Sequence, residues 1–223
     1  MLSTIKRHFS KRLYNQHILN GTIFIHIPKT GGASLSKFIY GYEIGHIRTC
    51  QISNRKIDNI FTIIRDPYDI FCSALKFLYF DTRYEADQKL HDKLSTMEFD
   101  GATNYVLSSI NHKSCHIHFQ PLSYFIQGKY YERIRYINFS QFSAISEAVA
   151  LPKENYYRDS VDNDVIVKRA ELNQYLKNKK PFIVAHLEKH YQDFARMCAT
   201  ANEIKNEEAI SLIRNLQRNA LQG

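Results

Sequence analysis

A lysine, two glycines and two hydroxyl residues lie close together near the start of the chain. They belong to the run Lys29, Thr30, Gly31, Gly32, Ala33 and Ser34. Because glycine adopts backbone conformations that a side chain forbids, Gly31 and Gly32 could turn several N–H groups towards one point. Such N–H groups at a helix start bind anions, most readily phosphate or sulfate. Lys29 would add a positive charge, and Thr30 and Ser34 would add hydroxyl donors.

A plainer interpretation of the same residues is an ordinary turn. Gly31 and Gly32 would then only relieve backbone strain, and Lys29 would be solvated. The usual loop of nucleotide triphosphatases, G-x-x-x-x-G-K-S/T, is absent because the lysine here precedes the glycines. The loop taken alone therefore leaves both interpretations open.

A second candidate anion site is Arg65, which is followed by Asp66 and Asp69. An arginine side chain binds phosphate through a forked, charge-assisted contact, and the hydroxyl of Ser73 could share the same anion. The alternative is that Arg65 pairs with one of the two aspartates. Considered alone, these residues favour that alternative.

Each candidate site follows an apolar run and precedes a helical pattern. Residues 23–27 and 60–64 are nearly continuous apolar runs, which are typical of buried parallel strands. After the first run the pattern becomes helical from Ala33, with Gly41 as a stop. After the second, Asp66 is a suitable N-cap, with a proline at the first helical position. The order of strand, anion site and helix indicates an α/β fold.

The rest of the chain continues this alternation. Residues 133–139 alternate like a further strand, and Ser140 is a plausible N-cap for the next helix. A late helix is expected around residues 182–197, and residues 202–223 are expected to form a C-terminal helix. The length suits one domain over residues 1–223, with a central parallel sheet flanked by helices.

The two motifs together resemble the nucleotide-binding motifs of carbohydrate sulfotransferases, which use 3′-phosphoadenosine 5′-phosphosulfate (PAPS). Residues 26–35 are similar to the 5′-phosphosulfate loop of these enzymes, and residues 65–74 to their 3′-phosphate motif. The resemblance, closest to bacterial and uronyl or chondroitin-type enzymes, implies a P-loop-like sulfotransferase fold. It also implies in-line transfer of a sulfuryl group from PAPS to a carbohydrate hydroxyl, which releases 3′,5′-ADP.

The resemblance also implies roles for individual residues. The backbone amides of residues 30–34 would hold the 5′-phosphosulfate, and Lys29 would offset charge on the bridging oxygen as it leaves. Arg65 with Ser73 would hold the 3′-phosphate. A histidine would take the proton from the acceptor hydroxyl, since a neutral imidazole is a suitable general base near pH 7. His46 is the first candidate and His118 the second.

The assignment of His46 is not unique, because a surface or structural histidine fits this position equally well. His26 is interpreted as a residue that supports the loop. Gln120 replaces an arginine that is usual in the segment around His118, so the acceptor specificity of the related enzymes is not carried over. No metal ion is expected, since Lys29 supplies the countercharge.

The composition agrees with a partner that carries negative charge. Thirty basic and twenty-two acidic residues give a net charge of +8, which favours polyanions. No nucleic-acid-binding motif is recognisable, so the expected partner is a carbohydrate or glycolipid acceptor. The alternatives are a P-loop-like nucleotide kinase or NTPase, and a non-enzymatic module that binds polyanions.

The expected setting is the cytoplasm. The four cysteines show no paired spacing, which favours reduced thiols. No apolar run approaches the ~20 residues that span a membrane. The basic residues 1–20 are compatible with a helix packed on the domain or with peripheral membrane contact. The C-terminal helix could pack on the domain or on a second subunit of a homodimer.

Overall fold

The structure is a computed structural model that describes residues 15–52, 57–80, 84–110, 115–151 and 163–222. Residues 1–14 of the basic N-terminal segment lie outside this part of the chain. The chain divides into two compact units, each made of several segments. The sheet unit comprises the described residues within 1–65, 121–154 and 192–223, and the helical unit comprises those within 66–120 and 155–191.

Strands and helices alternate along the chain. The strands are β1 (Ile18–Leu19), β2 (Thr22–Ile25), β3 (Asn59–Ile64), β4 (Ile134–Asn138) and β5 (Asn202–Glu203). The helices are α1 (Gly32–Tyr40), α2 (Pro67–Phe80), α3 (Glu85–Leu94), α4 (Phe99–Ser109), α5 (Leu122–Phe125), α6 (Phe139–Ala148), α7 (Asn163–Asn178), α8 (Lys180–His186), α9 (Glu188–Thr200) and α10 (Asn206–Leu221). Short 3₁₀ turns occupy Thr49–Gln51, Ile117–Phe119 and Gly128–Arg133.

The strands of the sheet unit form one five-stranded sheet in the order β1-β2-β3-β4-β5. The first pair is antiparallel, and the other pairs are parallel. The predicted α/β class with a mostly parallel sheet flanked by helices is therefore confirmed. The strand order follows the chain order, so each parallel strand is added beside the one before it.

The register of the sheet decides which residues meet at its carboxyl edge. Ile25 of β2 lies opposite Thr62 of β3, and Ile64 of β3 lies opposite Asn138 of β4. The last residues of β3 and β4 are thus paired, and the residues that follow them, Arg65 and Phe139, leave the sheet side by side. The sheet core at β2 and β3 is largely apolar, since both faces of these strands are buried apart from Asn59. The buried Thr62 hydroxyl donates to the Ile25 carbonyl at 2.8 Å.

The helices of the sheet unit pack through buried aliphatic side chains. α1 ends at Gly41, whose φ of 80° and N–H bond to the Lys37 carbonyl form the predicted stop. α10 packs against α1 and α6, with Ile213 and Leu216 buried. This C-terminal helix begins at Asn206 rather than at residue 202, because Asn202–Glu203 pairs with β4 as β5.

The helical unit has an apolar core of its own, to which α2, α4, α7 and α8 contribute. Asp66 caps α2 as predicted, since its Oδ1 accepts the N–H of Tyr68 at 2.9 Å and the N–H of Asp69 at 3.3 Å. The hydroxyl of Tyr191 also donates to the Asp66 carboxylate. The predicted late helix is interrupted at Leu187, between α8 and α9.

Candidate anion-binding site

The loop between β2 and α1 contains two left-handed residues. Lys29 has a φ of 62° and Gly31 a φ of 81°. Gly31 is the N-cap residue of α1, and the first helical hydrogen bond runs from the Leu35 N–H to the Gly31 carbonyl at 3.5 Å. The N–H groups of residues 32–34 therefore precede the helical ladder, as in any helix start. This arrangement can bind an anion.

Thr30 has a different role from the one expected of its side chain. It is 0% exposed, and its Oγ1 donates to the Ile27 carbonyl at 2.8 Å. The Thr30 hydroxyl therefore fixes the loop from inside, because its proton is used within the protein. Ser34, the other predicted hydroxyl donor, is half-buried in the first turn of α1.

Both loop glycines lie against aromatic rings. A Cβ atom on Gly32 would lie 2.1 Å from Cδ2 of His26, and one on Gly31 would lie 2.5 Å from Cε1 of Phe142. These separations are far inside van der Waals contact. The two glycines are therefore required for close packing as well as for backbone geometry, and the His26 ring supports the loop as the sequence suggested.

Replacing Gly32 by alanine should destabilise the protein by about 1–3 kcal/mol, since the added methyl group overpacks against the buried His26 ring. Gly101→Ala is a matched control. Gly101 also lies inside a helix, but its added Cβ would be 3.8 Å from the nearest atom, so the control should gain up to about 1 kcal/mol. Urea unfolding of both variants measures the difference. Equal stabilities would show that the His26 contact is not a constraint.

Arg65 reaches the loop from the end of β3. Its Nη1 donates to the Lys29 carbonyl at 3.2 Å, and its guanidinium carbon lies 4.3 Å from the ring centroid of Phe139. The structure therefore brings the two predicted cationic residues together at one edge of the sheet. Their proximity follows from the parallel pairing of β2 with β3, because both residues follow the carboxyl ends of neighbouring strands.

Asn138 starts α6 and so positions the ring of Phe139. Its side chain accepts the N–H of Ser140 at 3.1 Å and the Ser140 hydroxyl at 3.0 Å. The prediction that Ser140 is the N-cap is wrong, because the helix begins at Phe139, directly after β4. Phe139 and Phe142 are three residues apart on α6, and their rings stack with centroids 5.9 Å apart.

Sequence reasoning did not identify Phe139 and Phe142 as part of the site. Both side chains are half-buried. A phenylalanine at a helix start does not by itself indicate contact with a charged residue. The available signal was their position, since two aromatic residues three apart directly follow the third parallel strand. The residues after such a strand share an edge with those after its neighbours.

His46 lies beside His26, the residue that supports the loop. Its ring centroid is 4.5 Å from that of His26, and its Nδ1 is 3.2 Å from the His26 carbonyl oxygen. A carbonyl oxygen only accepts, so this bond requires the proton on Nδ1, and the neutral ring then carries its lone pair on Nε2. His46 is half-exposed. The contact therefore selects the tautomer in which Nε2 can act as a base.

His26 is held in its neutral form. Burial, followed by the nearby His46 and Lys29, lowers its pKa well below the ordinary value, against a smaller effect of a backbone hydrogen bond with Gly45. His26 is 3% exposed, so a proton on its ring would be poorly solvated. The positive charge at this edge of the sheet therefore resides on Lys29 and Arg65 rather than on His26.

The low pKa of His26 predicts that acid weakens the fold. Below the ordinary value of 6.5 the unfolded chain takes up a proton that folded His26 does not. The free energy of unfolding should therefore decrease by up to about 1.4 kcal/mol per pH unit as the pH falls. Urea unfolding between about pH 7 and pH 5 should show a shallower decrease for His26→Gln than for the wild type. Equal slopes, or uptake of a proton by the His26 ring near its ordinary pKa in NMR titration, would contradict this.

Ser73 and His118 both belong to the helical unit. Ser73 is half-buried in α2. His118 is 6% exposed and packs against the rings of Phe77 and His116, at 5.4 and 5.1 Å between centroids. The cavity beside it has a volume of about 10 Å³, which is room for a water molecule but not for a sugar. His118 is thus placed as a core residue.

The part of the chain that the structure describes contains no group of three histidine, cysteine, aspartate or glutamate side chains arranged to hold a metal ion. Across the same residues, no helix combines the length and the apolar character needed to cross a membrane.

Comparison of the chain with protein-family models, curated proteins and solved structures gives no match. The two short motifs and the geometry of this site are therefore the features from which a function can be inferred.

Proposed function

We propose that this protein is a sulfotransferase that moves a sulfuryl group from PAPS to a hydroxyl of a carbohydrate or glycolipid acceptor. The observation that carries the proposal is the meeting of Lys29, the first-turn amides of α1 and Arg65 at the carboxyl edge of one parallel sheet. Such a site offers two groups of anion donors a short distance apart. A nucleotide with a phosphate at one end and a phosphosulfate at the other matches it.

The loop would bind the 5′-phosphosulfate. The N–H groups of residues 32–34 supply fixed donors, and the ammonium group of Lys29 is near enough to lower the pKa of His26. During transfer, the bond between sulfur and the acceptor oxygen forms as the bond to the bridging oxygen breaks. The bridging oxygen leaves with the electron pair, and Lys29 stabilises the charge that develops there. The strand, left-handed loop and helix form the element that we propose as P-loop-like.

Arg65 would bind the 3′-phosphate. A guanidinium group presents several donors in one plane, so it can bind the Lys29 carbonyl and a phosphate at the same time. The contact also ties Arg65 to the loop, which fixes the spacing between the two anion sites. The predicted contribution of Ser73 to the same phosphate remains a prediction.

His46 would act as the general base. Its contact with the His26 carbonyl leaves Nε2 as the basic nitrogen, and His26 itself rests against Gly32 of the loop. The base is therefore connected to the anion loop through one rigid, neutral side chain. His46 would take the acceptor proton as the new sulfur–oxygen bond forms.

A kinase or NTPase would require a magnesium ion and a carboxylate to hold it near the phosphates. Asp66 directly follows Arg65 and is the obvious candidate. Its carboxylate, however, caps α2 through the N–H groups of Tyr68 and Asp69 and accepts the Tyr191 hydroxyl. These contacts favour sulfuryl transfer, in which Lys29 supplies the countercharge.

Titration calorimetry with 3′,5′-ADP and with ATP, each with and without magnesium, tests the proposal. Sulfuryl transfer predicts binding of 3′,5′-ADP that does not require magnesium. A preference for magnesium–ATP would instead establish a kinase or NTPase. Incubation with PAPS and a panel of glycans, followed by mass spectrometry, should detect the addition of one sulfate. Binding of sulfated glycans without nucleotide binding or transfer would favour a non-enzymatic module.

A further inference from the structure

Phe139 lies next to the residue that would recognise the 3′-phosphate. The guanidinium carbon of Arg65 is 4.3 Å from its ring centroid, within the range of a cation–π interaction. Arg65 also contacts the loop, since its Nη1 donates to the Lys29 carbonyl at 3.2 Å. Two different groups, a ring and a backbone carbonyl, therefore hold the same guanidinium.

The two contacts use different parts of Arg65. The guanidinium carbon lies over the Phe139 ring, 4.3 Å from its centroid, a separation at which a guanidinium can stack by its face, whereas its N–H donors lie in its own plane. Stacking on Phe139 therefore does not compete with hydrogen bonds to a phosphate. It limits the rotation of a long side chain that would otherwise lose conformational entropy when it binds a ligand.

The position of the Phe139 ring is itself fixed. Ile64 and Asn138 are paired in the sheet, so Arg65 and Phe139 follow directly from a matched pair of residues. Asn138 caps α6, and the ring of Phe142 stacks on that of Phe139. Phe142 in turn lies against Gly31 of the loop.

We propose that Phe139 is a positioning residue, which holds the Arg65 guanidinium for the 3′-phosphate and thereby makes the site selective for nucleotides that carry this phosphate. This inference rests on the proposed function. It adds a residue that neither motif contains and a consequence that can be measured separately from catalysis.

The test compares the affinities of 3′,5′-ADP and 5′-AMP, which differ only in the 3′-phosphate. Phe139→Leu should weaken binding of 3′,5′-ADP about three- to thirtyfold, the range expected for a cation–π contact, while 5′-AMP changes less than about twofold. Phe139→Tyr, which retains the aromatic face, should restore the affinity. Phe99→Leu is the matched control, because Phe99 is likewise the half-buried first residue of a helix but belongs to the helical unit, and it should not change the ratio of the two affinities.

A double-mutant cycle provides a second readout. In the background of Arg65→Ala, Phe139→Leu should have no further effect on 3′,5′-ADP binding, because the residue through which it acts is gone. Equal weakening of both nucleotides, or additive effects in the cycle, would overturn the inference. If Phe139→Leu lowers the unfolding temperature strongly, Phe139→Met gives the same comparison with a flexible side chain of similar size.

The outcomes also separate this inference from the proposed function. Magnesium-independent binding of 3′,5′-ADP with no change in selectivity in Phe139→Leu would reject the role of Phe139 alone. Absence of nucleotide binding and of sulfuryl transfer in the wild type would reject both.

Discussion

Lys29→Met should lower the rate of sulfuryl transfer by about a hundred- to a thousandfold, the usual effect of losing one group that stabilises transition-state charge. Methionine is nearly as long as lysine but carries no charge. The left-handed backbone at this position, with a φ of 62°, disfavours lysine and methionine alike, so the substitution adds no new backbone strain. The fall should appear in kcat, because the charge on the bridging oxygen develops only during transfer.

Lys37→Met is the control for this experiment. Lys37 lies in the last turn of the same helix, α1, so the variant removes one positive charge at the other end of the element. We expect its activity to stay near that of the wild type. Similar losses in the two variants would mean that the net charge of the protein, rather than a charge at the loop, determines the rate.

His46→Gln should lower kcat by about a hundred- to ten-thousandfold, the contribution of a positioned general base. The affinity for 3′,5′-ADP should not change, because His46 is proposed to contact the acceptor and not the nucleotide. A base that works as a neutral imidazole also predicts that wild-type activity falls as acid protonates it. This acid limb of the pH profile should disappear in the variant.

His186→Gln is a suitable control for the loss of a histidine. His186 also has its Nδ1 on a backbone carbonyl, that of Phe182 at 2.9 Å, but it is an exposed residue of the helical unit. Its replacement should leave both kcat and the pH profile intact. An unchanged acid limb in His46→Gln would assign the proton transfer to another group.

The strands and helices around the site were predictable because their sequences carry strong local signals. β3 is a nearly continuous apolar run that ends shortly before a proline, and the cap at Asp66 is a local contact within four residues. β5 carries no such signal. Its residues Asn202 and Glu203 are polar and exposed, so only pairing with β4 defines them as a strand.

The positions of Lys29 and Arg65 were predictable for a related reason. Each follows a parallel strand, and parallel strands end at a common edge. The direction of the Thr30 hydroxyl and the tautomer of His46 were not predictable, because both depend on contacts with particular carbonyl groups. The packing of His26 on Gly32 likewise depends on the three-dimensional path of the loop, which the spacing of residues in the sequence does not indicate.

The two outer strands of the sheet, β1 and β5, have two residues each. The open side of an outer strand is where another polypeptide can extend a sheet by hydrogen bonding to its backbone. Two residues on each outer strand provide too few backbone hydrogen bonds to hold an added strand, and the charge of Glu203 on β5 makes such pairing less favourable. Among the described residues, the sheet that builds the site therefore offers little edge backbone on which another polypeptide could extend it.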